Sequence, residues 1–231
     1  MGTSLAARVG NCGMSGQSQH AGASVLNVLL REAALKELTE DQVEKFDRYL
    51  ELILRWNARM NLTAVRNAEE IIRRHFFECI ACAQLLPIDI ETMLDLGSGA
   101  GFPGVPIAIY RSELKVTLAE SQNKKAAFLR EVGRSLDLDV NVFAGRAEAL
   151  ELRFDCVTLR AVDGMASALR RAIALLKTGG WLMVMTSTHQ EEAVRSAANE
   201  IVWQDPVLLY GSEQRIAMLG ISSVPRGTSL H

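Results

Sequence analysis

Cysteine is scarce. Four residues, at positions 12, 79, 82 and 156 of a 231-residue chain, do not make the disulfide framework of a small secreted domain, and reduced thiols are expected. Long apolar runs are missing as well. Stretches such as Trp181 to Met185 are too short to span a bilayer, and no charged-then-apolar leader opens the sequence, so the expected address is the cytoplasm. Charge of one sign is also lacking. With a formal net charge of -2 the molecule as a whole is not drawn to polyanions, and any nucleic-acid contact needs a local basic surface. Neither an internal repeat nor a long low-complexity linker is present to suggest a second catalytic domain. The remainder, with 48% hydrophobic and 23% charged residues, fits one soluble α/β domain with a modest extension.

The most informative stretch runs from Met93 to Pro106. A short apolar run closed by Asp95 reads as a buried strand; Gly97, Gly99, Gly101 and Gly104 follow, and then a proline-primed helix through Ile107, Ala108 and Ile109. Glycines at such a junction allow positive φ and the close approach of a ligand. Gly99-x-Gly101-x-x-Gly104 also satisfies the dinucleotide pattern, with Glu120 where that pattern wants its ribose-binding acid. Asp95 separates the readings: beside the turn its carboxylate would repel a pyrophosphate and attract a cation. S-adenosylmethionine, which carries a sulfonium and an ammonium and no phosphate, meets that demand best. A dinucleotide site and a purely structural turn remain alternatives.

Residues 1–24 have few large apolar side chains and read as a flexible tail. A helical cap is expected over 25–90: a short amphipathic helix through Val25, Leu26, Leu29 and Leu30, a second opened by a capping box at Thr39–Gln42, and a third over 68–86 ended by Pro87. From 91 to 219 strand and helix alternate. This predicts a Rossmann-like α/β fold with a mostly parallel, seven-stranded sheet: strands near 92–96, 115–119, 139–143, 154–159 and 180–186, and a C-terminal hairpin of 207–210 with 215–219. Helices are expected over 104–110, 122–136, 164–177 and 189–202, and residues 220–231 as a frayed tail.

Cys79-Ile80-Ala81-Cys82 spells C-x-x-C with His75 one turn earlier, but it falls inside a helix with no partner pair at zinc spacing, so both are read as core residues and no metal is expected. In an open parallel sheet the ligand lies beyond the carboxyl ends of the strands. Glu120 ends the second, where it could accept both ribose hydroxyls; Ala147 and Glu148 follow the third, where they could hold adenine; Arg160 ends the fourth. Ser121 joins Glu120 as a cofactor neighbour. Arg146 and Arg160 form the candidate catalytic, RNA-facing pair, with further cations at Arg55, Arg59, Arg66, Arg73 and Arg74 and at Lys124, Lys125, Arg130 and Arg134.

Arg74-His75-Phe76, the run Leu94 to Gly104, Lys124-Lys125, Gly145-Arg146-Ala147-Glu148 and Arg160-Ala161-Val162 occur in an order that resembles the bacterial 16S ribosomal RNA guanine-N7 methyltransferases, the glucose-inhibited division protein B family. Asn57 with Asn61-Leu62-Thr63 resembles that family's cap elements. The resemblance implies S-adenosylmethionine as cofactor, with Gly97, Phe102, Glu120, Ala147, Glu148 and Arg160 at the cofactor positions beside Asp95, Gly99 and Gly101. It implies 16S rRNA or the assembling small subunit as partner, and a monomer with no obligate protein partner. The chain departs from the family's usual residues at Glu78, Cys79, Leu159 and Thr186-Ser187, the last pair standing where Lys-Gly is common. Guanine N7 presents a lone pair in the neutral base, so no general base is required and the want of a catalytic dyad is expected.

Overall fold

The fold is that of a computed structural model describing residues 21–160 and 164–223, with Glu148 and residues 21–24 described by backbone alone. The expected tail up to residue 20, Ala161-Val162 and the last eight residues therefore lie outside the described residues.

The cap comes first. Helix α1 (Ala21–Glu32) starts inside the segment expected as a tail, because Ala21 and Ala23 favour helix. Helix α2 (Glu40–Asn57) carries the expected capping box: the Gln42 N–H donates to Thr39 Oγ1 at 3.3 Å and the Thr39 N–H to Gln42 Oε1 at 3.0 Å. The Gln42 amide also donates to the carbonyls of Ile109 and Tyr110, which ties the cap to the sheet domain. The single helix expected over 68–86 is three pieces: α3 (Ala68–Ile71), a π turn (Ile72–Phe76) and α4 (Phe77–Leu85). One extra residue per turn re-aims the side chains around it, and apolar spacing alone does not reveal such an insertion.

The alternating half follows with β1 (Thr92–Leu96), α5 (Gly104–Tyr110), β2 (Lys115–Glu120), α6 (Asn123–Ser135), β3 (Val140–Ala144), β4 (Phe154–Arg160), α7 (Met165–Ala174), β5 (Leu176–Ser187), α8 (Glu191–Ala197), β6 (Ile201–Trp203), β7 (Val207–Leu208) and β8 (Arg215–Ser222). The order is β3-β2-β1-β4-β5-β8-β6, seven strands along the path, with the two-residue β7 pairing β8 beside them. Strands β1 to β5 run parallel, and β8 is antiparallel to β5, β6 and β7.

Three boundaries differ from expectation. The helix expected over 189–202 stops at Ala197, because Ile201, Val202 and Trp203 form a strand on β8. The helix expected to reach 177 ends at Ala174, and β5 begins at Leu176 through a bulge before Trp181. Strand β8 runs past 220 to Ser222, held by β5 and β6.

Alternation along the strands sorts residues to two faces. Met93 and Cys156 share a core cluster with the cap and with α5 and α6; Leu94, Leu96, Val157 and Leu159 belong to the cluster under α7 and α8. By the same period Asp95, Thr158 and Arg160 point to the cap side. That geometry decides the site.

Candidate cofactor cleft and the cap side of the sheet

After β1 the chain turns sharply, with positive φ at Gly97 (77°), Gly99 (58°) and Gly101 (97°). At Gly101 the space is also closed: a Cβ there would lie 2.6 Å from the Tyr49 hydroxyl and 2.7 Å from Val105 Cγ2. Tyr49, buried on α2, donates to the Ala100 carbonyl at 2.5 Å, so the cap itself holds the turn. Burial raises its phenol well above the ordinary range.

Two carboxylates brace the turn from opposite sides. Asp95, 1% exposed, accepts from the Gly104 N–H at 3.1 Å and from the Thr158 hydroxyl at 3.0 Å. Burial pushes it up to about 6 against those stabilising bonds. Glu120 accepts from the Gly99 N–H at 2.9 Å and the Gln122 N–H at 2.7 Å. A dinucleotide site would offer its glycine-turn and helix N-terminal N–H groups to a pyrophosphate. Here carboxylates already take the N–H of Gly99 and of Gly104, and a phosphate would meet negative charge at both. Asp95, expected beside the ligand, is instead buried behind the turn and does not line the cleft in front of it.

A cleft of about 320 Å³ opens in front of the turn at the carboxyl ends of β1, β2 and β3. Of the residues singled out from sequence, Gly97, Ser121, Arg146 and Ala147 line it; Glu120, buried between the lining residues Ala119 and Ser121, and Gly99, bonded to it, are not part of the lining, and Gly101 and Phe102 are packed among the cap's aromatic rings. The Glu148 side chain is not among the described ones. Sequence reasoning missed Arg171, on α7, which donates through Nε to the Ala147 carbonyl at 2.8 Å and through a terminal nitrogen to Leu150 at 3.0 Å, clamping the loop after β3. No motif marks it; only its place one turn after Ser167-Ala168, which also line the cleft, connects it to the site.

Arg146 and Arg160 are not brought together. Arg146 is exposed at the cleft. Arg160, its side chain 14% exposed, turns to the cap, where it donates to Glu78 Oε2 at 3.1 Å, the Arg74 carbonyl at 3.0 Å and His75 Nδ1 at 2.9 Å, with its guanidinium carbon 5.7 Å from the Phe102 ring centre. It is therefore a strut between β4 and the π turn, not the open RNA-facing cation expected from sequence. Glu78, 1% exposed, also pairs with Arg215 at the start of β8, yet burial still raises its carboxyl. His75 accepts from Arg160 at Nδ1, so Nε2 carries its proton toward Thr63 Oγ1 at 3.3 Å, and the ring stacks on Phe102 at 4.5 Å. Burial and the charges of Arg160 and Arg74 lower it to about 3.

The cap motif supports this arrangement. Buried Asn57 accepts from the N–H groups of Leu62 and Thr63 and donates to the carbonyls of Thr63 and Val65, which fixes the loop that presents Thr63 to His75. Cys79 and Cys82 are buried free thiols, Cys79 pushed up to about 12 by burial, so neither is poised as a thiolate. At the end of β5, Thr186 bonds Gln190 at 2.6 Å.

A parallel sheet with one reversed strand between its last two, a glycine turn after the first strand and an acid closing the second define an S-adenosylmethionine-dependent methyltransferase. The solved structures agree on the fold: a methyltransferase of Pyrococcus furiosus has a TM-score of 0.58 at 12% identity over 78% of this chain and 98% of that one. Pyrococcus horikoshii TYW2, solved in complex with MeSAdo, has 0.54 at 15% identity over 65% and 63%. Residues 42–210 match the family described as rRNA small subunit methyltransferase G. The ribosomal RNA small subunit methyltransferase G of Roseiflexus castenholzii is 36% identical over 202 residues, 81% of this chain and 86% of that protein; the Streptococcus pneumoniae protein of the same name is 38% identical over 173 residues, 71% and 73%. The chain belongs to the rRNA small subunit methyltransferase G family.

Proposed function

We propose that the protein transfers the methyl group of S-adenosylmethionine to N7 of a guanine in 16S ribosomal RNA, in the cytoplasm. The carrying observation is the family match over 42–210 on a chain whose cleft meets the cofactor's chemistry. The residues fit that cofactor. Each oxygen of Glu120 takes one backbone N–H and keeps acceptor capacity for a ribose hydroxyl, Ala119, Ala147 and Ala168 leave smooth walls, and Arg171 is directed at carbonyls. Bound there, S-adenosylmethionine supplies an electrophilic methyl on a sulfonium.

The protein's own contribution is positional. Guanine N7 needs no proton removed, and His75, lowered to about 3 and stacked on Phe102, is unsuited to act as a base at neutral pH. The Tyr49, Phe76 and Phe102 ring cluster holds the turn rigid against the cap, so the ends of β1 and β4 keep a fixed spacing. Arg146, exposed at the cleft, is the cation placed to meet incoming RNA. Among the described residues no helix is long and apolar enough to cross a membrane.

The test offers labelled S-adenosylmethionine together with unmodified 16S rRNA, assembling small subunits or the ribosomal proteins alone. Label entering RNA supports the reading and its relative rate in the first two substrates names the assembly state. Label in the protein fraction only overturns it.

A further inference from the structure

Twenty-five lysines and arginines are distributed along the chain, and the question is which of them are free to meet a polyanion. Most cap arginines are ion-paired: Arg31 with Glu37, Arg55 with Glu131, Arg73 with Glu69 and Arg74 with Glu70, while Arg66 bonds only the neutral Asn61 amide. Helix α6 is different. Lys124, Arg130 and Arg134 are exposed, Lys125 is half-buried, and among the described residues none of the four has an ion pair or a side-chain hydrogen bond. The one acid on that helix, Glu131, is held by Arg55 and the Trp56 indole. Lys115 and Arg170, also without an ion pair or side-chain hydrogen bond among the described residues, stand singly on β2 and α7.

Placement adds direction. At about 100° per residue Ala127, Arg130 and Arg134 share the outer face, away from the buried Leu129 and Val132, and Lys124 flanks that face at the first turn. Ten residues of helix separate Lys124 from Arg134, about 15 Å. The helix starts just after Ser121, at the cleft, and packs against α2 in reverse, since Arg48 reaches the Ser135 carbonyl while Arg55 and Trp56 reach Glu131. Arg59, exposed and unpaired just beyond α2, therefore falls toward the Lys124 end, and unpaired Arg146 stands at the cleft. Unpaired like charges on one helix face cost stability and serve no contact within the fold.

The geometry points to the outer face of α6, with Arg59 and Arg146 at its cleft end, as the surface that grips RNA phosphates flanking the target guanine. This rests on the rRNA reading above and names where the RNA lies. Phosphate contacts position without reading sequence, so the surface sets register while the cleft selects the base.

The experiment measures binding of unmodified 16S rRNA over a salt series for the wild type, the triple variant Lys124→Ala/Arg130→Ala/Arg134→Ala, and the control Arg31→Ala/Arg73→Ala, whose side chains are ion-paired in the cap. The triple variant is expected to lower the slope of log K against log salt by about 2 and to raise the RNA KM roughly tenfold, with S-adenosylmethionine affinity unchanged and melting no lower than in the wild type. The control is expected to keep the wild-type slope. A triple variant with wild-type slope, or a slope lost only in the control, overturns the surface while leaving the reaction standing. A wild-type protein that binds the RNA with no salt dependence sinks the rRNA reading and the surface together.

Discussion

Replacing Glu120 by Gln probes the cofactor cleft most sharply, because the same side chain has a structural and a ligand-binding duty. Its two oxygens accept from Gly99 at 2.9 Å and Gln122 at 2.7 Å, and each retains acceptor capacity, which the proposed function assigns to the ribose hydroxyls. Glutamine keeps the shape but turns an NH2 toward one of those N–H donors and toward one ribose hydroxyl. The lost backbone bond is present free and bound, so it affects stability alone, by about 1.5–3 kcal/mol for a bond to a charged acceptor. In a chain of this length that is a melting decrease of about 3–12 °C. The lost ribose bond exists only in the complex and is worth a similar amount, roughly 10- to 150-fold in Kd. Calorimetric titration with S-adenosylmethionine and a thermal melt read the two separately. A variant that melts early yet binds S-adenosylmethionine within twofold of wild type would reduce Glu120 to a brace; one with an unchanged melt would refute the geometry of the turn.

Three further outcomes are expected. Gly104→Ala places a Cβ 2.4 Å from Leu118 Cδ2 and 2.7 Å from Asp95 Oδ2, so stability drops by about 1–3 kcal/mol, and a melt within 1 °C of wild type would show that α5 does not sit this close to β1. His75 titrates near 3 in the fold and near 6.5 unfolded, so acidification from pH 7.5 to 5 protonates it only in the unfolded chain and removes about 2 kcal/mol; Asp95, raised to about 6, gains about 1.4 kcal/mol over the same range because the fold then binds its proton more readily. Denaturant titrations should therefore show a small net loss in wild type that becomes a gain in His75→Gln, and identical pH slopes would contradict the His75 environment. Arg171→Ala frees the carbonyls of Ala147 and Leu150 and should weaken S-adenosylmethionine binding roughly tenfold with RNA binding intact; unaltered cofactor affinity would remove the clamp from the site.

Much of this architecture is legible in local pattern. The glycine turn, the capping box at Thr39 and strands β1, β2 and β4 follow from periodicity and turn chemistry because each depends on neighbours in sequence. Contacts between distant elements are not legible that way. Nothing in Ile72–Phe76 distinguishes a π turn from an α turn until His75 must meet both Thr63 and Arg160, and Arg171 is an ordinary helix residue until the loop at Ala147 lies beneath it. Arg160 is an intermediate case: Cys156, Thr158 and Arg160 alternate to one face, and that face is the cap, so its inward direction is written in the strand period although its strand-end position suggested the cleft mouth. Asp95 is a second such case: its place beside the glycine turn suggests a carboxylate in the cleft, whereas the strand period turns it into the core, where it takes the Gly104 N–H.

The most direct test of the central claim is chemical mapping of the product. Unmodified 16S rRNA is incubated with the protein and S-adenosylmethionine, then treated with borohydride and aniline, which cleave the strand at N7-methylguanine. The account predicts cleavage at a single guanine, dependent on the protein and lost when S-adenosylmethionine is omitted. Methyl transferred to the RNA with no such cleavage, placing it on another atom, would contradict it.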